Sequence, residues 1–179
     1  MSSHTLSLLS DADNLTDFDC GDADLNEFLQ NDAKENQKNW LSATRILYDN
    51  NKIIGYFTLI ADTLNRERVN ETDRVEGYTY SKYSCIKLAR LAVDKRYQNQ
   101  GIGKELMIYV FAIARKIVNY EGGKFLTVDA KNSAVDFYRK FGFVPVRSQK
   151  NADTIPMYAD FPHVFEQITE SDNSLKRYV

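Results

Sequence analysis

An α/β (α+β) domain, a sheet flanked by helices, is the fold class this sequence predicts, and three observations predict it. Apolar runs of strand length alternate along the chain with segments of helical periodicity. Ala43 to Tyr48 and Ile53 to Ile60 are both β-rich and are joined by the tight polar connector Asp49-Asn50-Asn51-Lys52, the signature of an antiparallel hairpin. Leu88 to Val93 is apolar except for Arg90, Gln98-Asn99-Gln100-Gly101-Ile102-Gly103 follows, and Ile102, Leu106, Val110, Ile113 and Ile117 then recur on one helical face. That last join reads as strand, polar turn, glycine-rich loop and helix.

The elements follow in order. A first strand closes over Ser7 to Ser10, near a weak alternation beginning at His4. Asp22 caps a helix whose acidic first turn precedes Leu25, Phe28 and Leu29, and the amphipathic pattern continues to Asn36. After the hairpin, Thr63 to Ser84 is polar and of mixed charge, with Tyr78, Tyr80 and Tyr83 in it, and reads as a long surface excursion of the kind that is often functional. The tyrosines either line an acceptor site or anchor the loop. Glu121-Gly122-Gly123 stops the central helix, and Phe125 to Ala130 is the next strand. Ala134, Phe137 and Phe141 place a short helix before Gly142. Phe143 to Val146 and Thr154 to Ala159 pair as closing strands, with Pro156 favouring an edge. No internal repeat or linker interrupts the chain, so residues 1–179 read as a single domain.

Composition narrows the function classes. Apolar residues make up 43% and charged residues 27% of the chain, which is a globular balance. Cys20 and Cys85 stand apart, without a CxxC pair, so neither a disulfide framework nor a metal site is expected and a cytoplasmic setting is. No segment approaches the apolar length of a membrane span. The formal net charge of -2 is unevenly spread: residues 1–86 carry a balance of -7, residues 87–150 of +8 and residues 151–179 of -3. The glycine loop lies in the basic third, either because an anion binds there or because Lys and Arg cover solvent-facing helix.

A glycine-bearing turn that opens a helix offers several backbone N–H groups and the positive end of the helix dipole to an anion, so a phosphorylated ligand is expected. Two common phosphate motifs fail against the residues. A dinucleotide fingerprint needs glycine where Leu106 stands, and a nucleotide P-loop needs Ser or Thr where Glu105 follows Lys104. What matches is Q/R-x-x-G-x-G/A between strand and helix, followed by a strand and Ala134-Val135-Asp136-Phe137-Tyr138-Arg139-Lys140-Phe141-Gly142-Phe143.

On Leu91 to Lys104 and that second motif the chain resembles the GNAT superfamily of acyl-coenzyme A dependent N-acyltransferases, with the order of elements agreeing over roughly residues 40 to 160. The resemblance implies a mixed, mostly antiparallel sheet, splayed beside the central strand, flanked by helices and taking acetyl-CoA as cosubstrate without a metal. It implies that Leu91, Ala92 and Val93 pair with the pantetheine arm and that the amides of Gln98, Asn99, Gln100, Gly101, Ile102, Gly103 and Lys104 hold the pyrophosphate. Lys104 and Arg96 either add charge to the phosphates or face solvent. Asn132 is a further coenzyme contact, although it stands two residues before Ala134 where relatives often have three. The backbone N–H of Val93 is a donor for the thioester oxygen, and no base is placed by motif. The resemblance makes Tyr138 the candidate general acid for the departing thiolate: with Ala134, Phe137 and Phe141 forming the packed face, its ring turns to the flank. The rival is a tyrosine that only packs.

Phe18-Asp19-Cys20-Gly21, Ile54-Gly55-Tyr56-Phe57-Thr58-Leu59 and Leu88-Ala89-Arg90-Leu91-Ala92-Val93-Asp94 narrow the resemblance to the branch that includes toxins of toxin-antitoxin pairs. That likeness implies an aminoacyl-tRNA acceptor and an antitoxin partner, with Arg90 facing an acceptor phosphate or a sheet carboxylate. Three readings stand at this point. The first is acetylation of a primary amine on a small molecule or protein, the second acetylation of aminoacyl-tRNA, and the third a non-catalytic acyl-CoA sensor. Homodimer formation is an expectation by analogy.

Overall fold

The computed structural model describes residues 4–147 and 153–164. In chain order the elements are β1 (Thr5–Leu8), α1 (Ala23–Glu27), a π-helical turn (Phe28–Asp32), α2 (Ala33–Lys38), β2 (Ala43–Asp49), β3 (Lys52–Asn65), β4 (Lys82–Val93), α3 (Ile102–Glu121), β5 (Phe125–Lys131), α4 (Val135–Arg139), β6 (Val144–Pro145) and β7 (Thr154–Asp160). Short 3₁₀ turns fall at Arg66–Arg68, Glu71–Asp73, Lys95–Tyr97 and Asn132–Ala134. The strand order is β1-β2-β3-β4-β5-β7-β6 in one seven-stranded sheet. No described helix is long and apolar enough to cross a membrane. The chain groups into two compact units, Met1–Ile60 with Leu88–Phe111 and Ala61–Lys87 with Ala112–Val179.

In the first unit β1 runs antiparallel to β2, from Thr5 opposite Tyr48 to Leu8 opposite Arg45, so the first strand lies a little earlier than its weak alternation placed it. The expected hairpin forms between β2 and β3. Asn50 and Asn51 take φ values of +47° and +65°, the pair of left-handed residues that a two-residue hairpin turn requires. Asp22 caps α1 by accepting from the Leu25 amide at 3.2 Å. The single helix expected from Asp22 to Asn36 is instead broken by the π-helical turn, which shifts the apolar stripe so that Phe28 and Leu29 both reach the core. There they join Phe18, Ile46 and Tyr56. Phe18 meets the Tyr56 ring edge-on at 5.4 Å, and the Tyr56 hydroxyl donates to Leu25 O at 2.7 Å. Gly55 lets this core close: a Cβ on it would stand 3.0 Å from both Ala92 O and Leu106 Cδ1.

In the second unit β5 pairs antiparallel with β7 from Phe125 opposite Asp160 to Lys131 opposite Thr154. The two-residue β6 pairs with β7 at Val144 opposite Tyr158 and Pro145 opposite Met157. Pro156 therefore sits on an interior strand, just past the point where the β6 ladder ends, with its carbonyl taken by the Val146 amide at 3.0 Å. The excursion is shorter than the sequence suggested, because β3 continues to Asn65 and β4 begins at Lys82. Within it Tyr78 stacks on Tyr83 at 4.6 Å, and Tyr83 meets Phe125 edge-on at 5.2 Å.

Candidate active site

The turn expected to take the coenzyme lies wholly in the first unit. β4 ends at Val93, and Asp94 N donates back to Ile54 O at 3.0 Å before the chain bends through Lys95–Tyr97 into the turn. Asn99 at φ +60° and Gly101 at φ +86° put left-handed residues two apart, a geometry that gathers successive N–H groups toward one point. A Cβ at Gly101 would meet no atom within 4 Å, so glycine is selected there by its φ. The amide of Glu105 donates to Gly101 O at 3.1 Å. Among the described turn and cap hydrogen bonds, none is donated by an amide from Gln98 to Lys104. N–H groups at the start of a helix that runs from Ile102 to Glu121 are of the kind that could hold an extended anion.

The side chains around this turn hold it in shape. Gln98 Nε2 donates to Cys20 O at 2.9 Å and to Val93 O at 3.0 Å, and Gln100 Nε2 donates to Arg96 O at 3.0 Å. Lys104 is exposed on the first helical turn with no carboxylate in ion-pair range among the described residues, so its charge is open to a phosphate. Arg96 is not. Its guanidinium grips Asp94 through two 2.7 Å bonds and donates to Asp17 O at 3.2 Å. Of the two cations expected near the phosphates, Lys104 remains a candidate and Arg96 is a brace. Leu91 and Val93 are half-buried on β4 and Ala92 is buried between them, so the backbone of these three residues runs directly into the turn.

Sequence reasoning missed Asp94. Its side chain is 1% exposed and accepts from the Arg96 guanidinium, from Arg96 N at 3.0 Å and from Asp19 N at 3.2 Å. Burial alone raises a carboxylate pKa, but the Arg96 side-chain bond and the two amides outweigh it and hold Asp94 below its ordinary value. Asp19 is held lower too, chiefly by the Lys95 ammonium at 2.6 Å and then by Gly21 N. Lys95 N donates to Asp19 O at 2.8 Å. Segment Asp17 to Cys20 is thereby strapped along Lys95 to Gln98. Arg90 pairs with no sheet carboxylate among the described residues. Its guanidinium lies 4.8 Å from the centre of the Phe28 ring and donates to Ala89 O at 2.8 Å, leaving the cation exposed.

A cavity of about 680 Å³ in the same unit is bordered by Asp13, Asp17, Tyr48, Lys52 and Arg96. It includes none of Leu91 to Val93 or Gln98 to Lys104, and two carboxylates on its wall oppose a phosphate.

Tyr138 and Asn132 lie in the second unit. Asn132 is exposed in the 3₁₀ turn after β5. On α4 the buried residues are Val135 and Tyr138, whereas Ala134, Phe137 and Phe141 are half-buried, so the most buried face is turned by one residue, about 100°, from the one the periodicity suggested. The Tyr138 ring meets Phe137 at 5.2 Å and Phe143 at 5.5 Å. Burial raises its pKa above the ordinary tyrosine value, so the phenol keeps its proton at neutral pH. Its oxygen has no hydrogen-bond partner among the described residues, yet it is not among the buried atoms that are both sealed and unpartnered, which are Ser42 Oγ, Tyr48 Oη and Arg66 Nε. A buried ring with a reachable, protonated hydroxyl suits a proton donor.

Residues 19–159 match the acetyltransferase (GNAT) domain family. A tRNA-acetylating toxin of Mycobacterium tuberculosis (strain ATCC 25618 / H37Rv) is 30% identical over 105 residues, which cover 55% of this chain and 58% of that curated relative. The structure of AtaT complexed with acetyl-methionyl-tRNAfMet superposes with a TM-score of 0.83 at 26% identity, covering 92% of this chain and 99% of that one. The structure of AtaTR bound with AcCoA gives 0.78 at 26% identity, covering 93% and 99%.

Proposed function

From the premise that this chain belongs to the acetyltransferase (GNAT) family, we propose that it transfers the acetyl group of acetyl-CoA to the amino group of an aminoacyl-tRNA. The observation that carries the coenzyme half is the turn from Gln98 to Lys104, with left-handed Asn99 and Gly101, at the start of the helix Ile102–Glu121. It is a docking site for a pyrophosphate, with Lys104 as an added cation. Leu91, Ala92 and Val93 lead into it as an extended strand and hold the pantetheine arm through backbone bonds. The acceptor half is supported by likeness to the tRNA-acetylating toxin and to AtaT with its acetylated methionyl-tRNA.

The chemistry is direct. The neutral amine attacks the thioester carbon, a C–N bond forms, and the carbonyl electrons move onto oxygen, where the Val93 N–H stabilises them. The C–S bond then breaks, the thiolate takes the Tyr138 proton, and the amine gives its proton to water. An α-amino group has a pKa near 8, so a substantial fraction is already neutral and no base side chain is required. Holding the two reactants together lowers the barrier by about 7 to 11 kcal/mol, the largest single contribution. An antitoxin that masks the toxin-type activity is part of the same reading.

The test is to incubate the purified protein with labelled acetyl-CoA and charged tRNA. Label recovered as N-acetylated amino acid after mild base hydrolysis is the expected result. Label found only in protein or metabolite fractions removes the tRNA acceptor and returns the activity to another primary amine, and coenzyme binding with no acetylation of any amine leaves the sensor reading.

A further inference from the structure

The excursion between β3 and β4 holds a second groove that the coenzyme does not explain. Its volume is about 430 Å³, the size of a small-ligand site, and Arg66, Glu67, Arg74, Thr79, Tyr80 and Ser81 border it. Two features distinguish it from ordinary surface. The Arg66 guanidinium makes no hydrogen bond or ion pair with a described residue, and its Nε is sealed from solvent with no acceptor. Folding alone disfavours a buried donor of that kind, so it points to a ligand that supplies the acceptor. Tyr80 is 72% exposed, an unusual position for so large a ring.

The groove is firmly built. Tyr80 leans on Tyr78 at 5.4 Å, Tyr78 stacks on Tyr83, Tyr83 meets Phe125, and Phe125 meets Tyr158 at 5.0 Å. The Tyr78 hydroxyl donates to Lys82 O at 2.9 Å, and Val75 N donates to the Tyr83 hydroxyl at 3.1 Å. Arg66 N is tied to Ser81 O at 2.8 Å across the mouth. Arg74 is oriented by backbone carbonyls, Nε to Val69 O and a terminal nitrogen to Glu67 O, both at 3.2 Å, and so keeps its charge. Glu71 and Asp73 are engaged elsewhere, by Arg147 at 2.9 Å and by the Tyr158 hydroxyl at 2.6 Å. Two guanidiniums against the single exposed carboxylate of Glu67, beside a rigid aromatic face and two hydroxyls, match a nucleotide: base, phosphate and sugar.

We infer that this groove takes an unpaired nucleotide of the RNA acceptor, with its base on Tyr80 and its phosphate on Arg66 and Arg74. The inference rests on the acceptor proposed above and adds a residue-level site to it. Fluorescence anisotropy with a labelled acceptor-stem RNA hairpin carrying an unpaired 3′ end, uncharged, tests it without relying on turnover. The Tyr80→Ala protein is expected to bind roughly 5- to 100-fold more weakly, and Tyr80→Phe within about twofold of the wild type. Arg66→Gln is expected to lower the slope of log affinity against log salt by about 0.7. Acetyl-CoA affinity is unchanged in all three. Wild-type binding by Tyr80→Ala and Arg66→Gln overturns the inference, as does displacement of the RNA by free coenzyme A, which would assign the groove to the coenzyme's own nucleotide. Failure of the acceptor reading shows separately, as wild-type protein that acetylates no charged tRNA.

Discussion

Replacing Asp94 with alanine strikes the point on which the coenzyme turn hangs. The wild-type carboxylate, 1% exposed, satisfies the Arg96 guanidinium and the amides of Arg96 and Asp19 together. Without it both amides lose a charged acceptor, at a cost of about 1 to 3 kcal/mol each. The guanidinium is 52% exposed, so water takes over much of its solvation and its loss adds no more than about 1 kcal/mol. The parts add to about 2 to 7 kcal/mol, and even about 3 kcal/mol, toward the low end, corresponds to a fall of about 6 to 12 °C in melting temperature for a chain of this size. The same change releases Arg96 from Asp17 and loosens the strap against Lys95 to Gln98, so the KM for acetyl-CoA is expected to rise about tenfold with kcat nearly preserved. Differential scanning fluorimetry and steady-state kinetics read the two effects. An Asp94→Ala protein that melts with the wild type and keeps its KM would refute the reasoning.

Other perturbations follow from the same geometry. Tyr138→Phe removes the proton donor and is expected to cut turnover by about 10² while coenzyme affinity, read by isothermal titration, stays within twofold; unchanged turnover assigns the ring to packing alone. Gly55→Ala sets a Cβ 3.0 Å from Ala92 O and is expected to cost about 1 to 3 kcal/mol by denaturant titration, with weaker acetyl-CoA binding because the displaced atom belongs to the strand proposed to hold the pantetheine arm. Gly101→Ala forces a side chain onto φ +86°, so about 1 to 2 kcal/mol of backbone strain should appear as lost acetyl-CoA affinity. Asp94 and Asp19 both have depressed folded pKa values, so their stabilisation is complete above the unfolded value near 3.9 and is lost as pH falls through the folded values. Thermal stability should therefore hold from neutrality to about pH 4 and decline below it, and the decline should be shallower in Asp94→Ala.

The elements that local pattern controls were legible in the sequence. The hairpin, the central helix and the turn before it depend on residues within a few positions of one another, and Asn50-Asn51 and Gly101 show the backbone angles those patterns require. Three features were not legible. Asp94 meets Asp19, a partner 75 positions away, and no periodicity reports that contact. The π-helical turn at Phe28–Asp32 changes phase inside what otherwise reads as one amphipathic stripe. α4 is five residues long and follows a 3₁₀ turn, so projecting helical spacing from Ala134 to Phe141 crosses two changes of backbone geometry and misplaces the most buried face by one residue. Tyr138 is the candidate acid on the strength of its motif, while its burial and its raised pKa emerge only from packing.

The strap from Asp17 to Cys20 ties an N-terminal segment to the proposed coenzyme turn, which lies far along the chain. A turn whose amides point outward together cannot stabilise itself, because the donors that serve the ligand are those that would otherwise close the turn. Its shape must come from side chains and neighbouring backbone. Gln98 supplies two bonds, to Cys20 O and Val93 O, and Lys95 and Arg96 bind the strap through Asp19 O and Asp17 O. Phe18 fixes the other end of the strap in the core against Tyr56. The Phe18-Asp19-Cys20-Gly21 motif thus shapes the turn from Gln98 to Lys104 from outside it, through Lys95, Arg96 and Gln98.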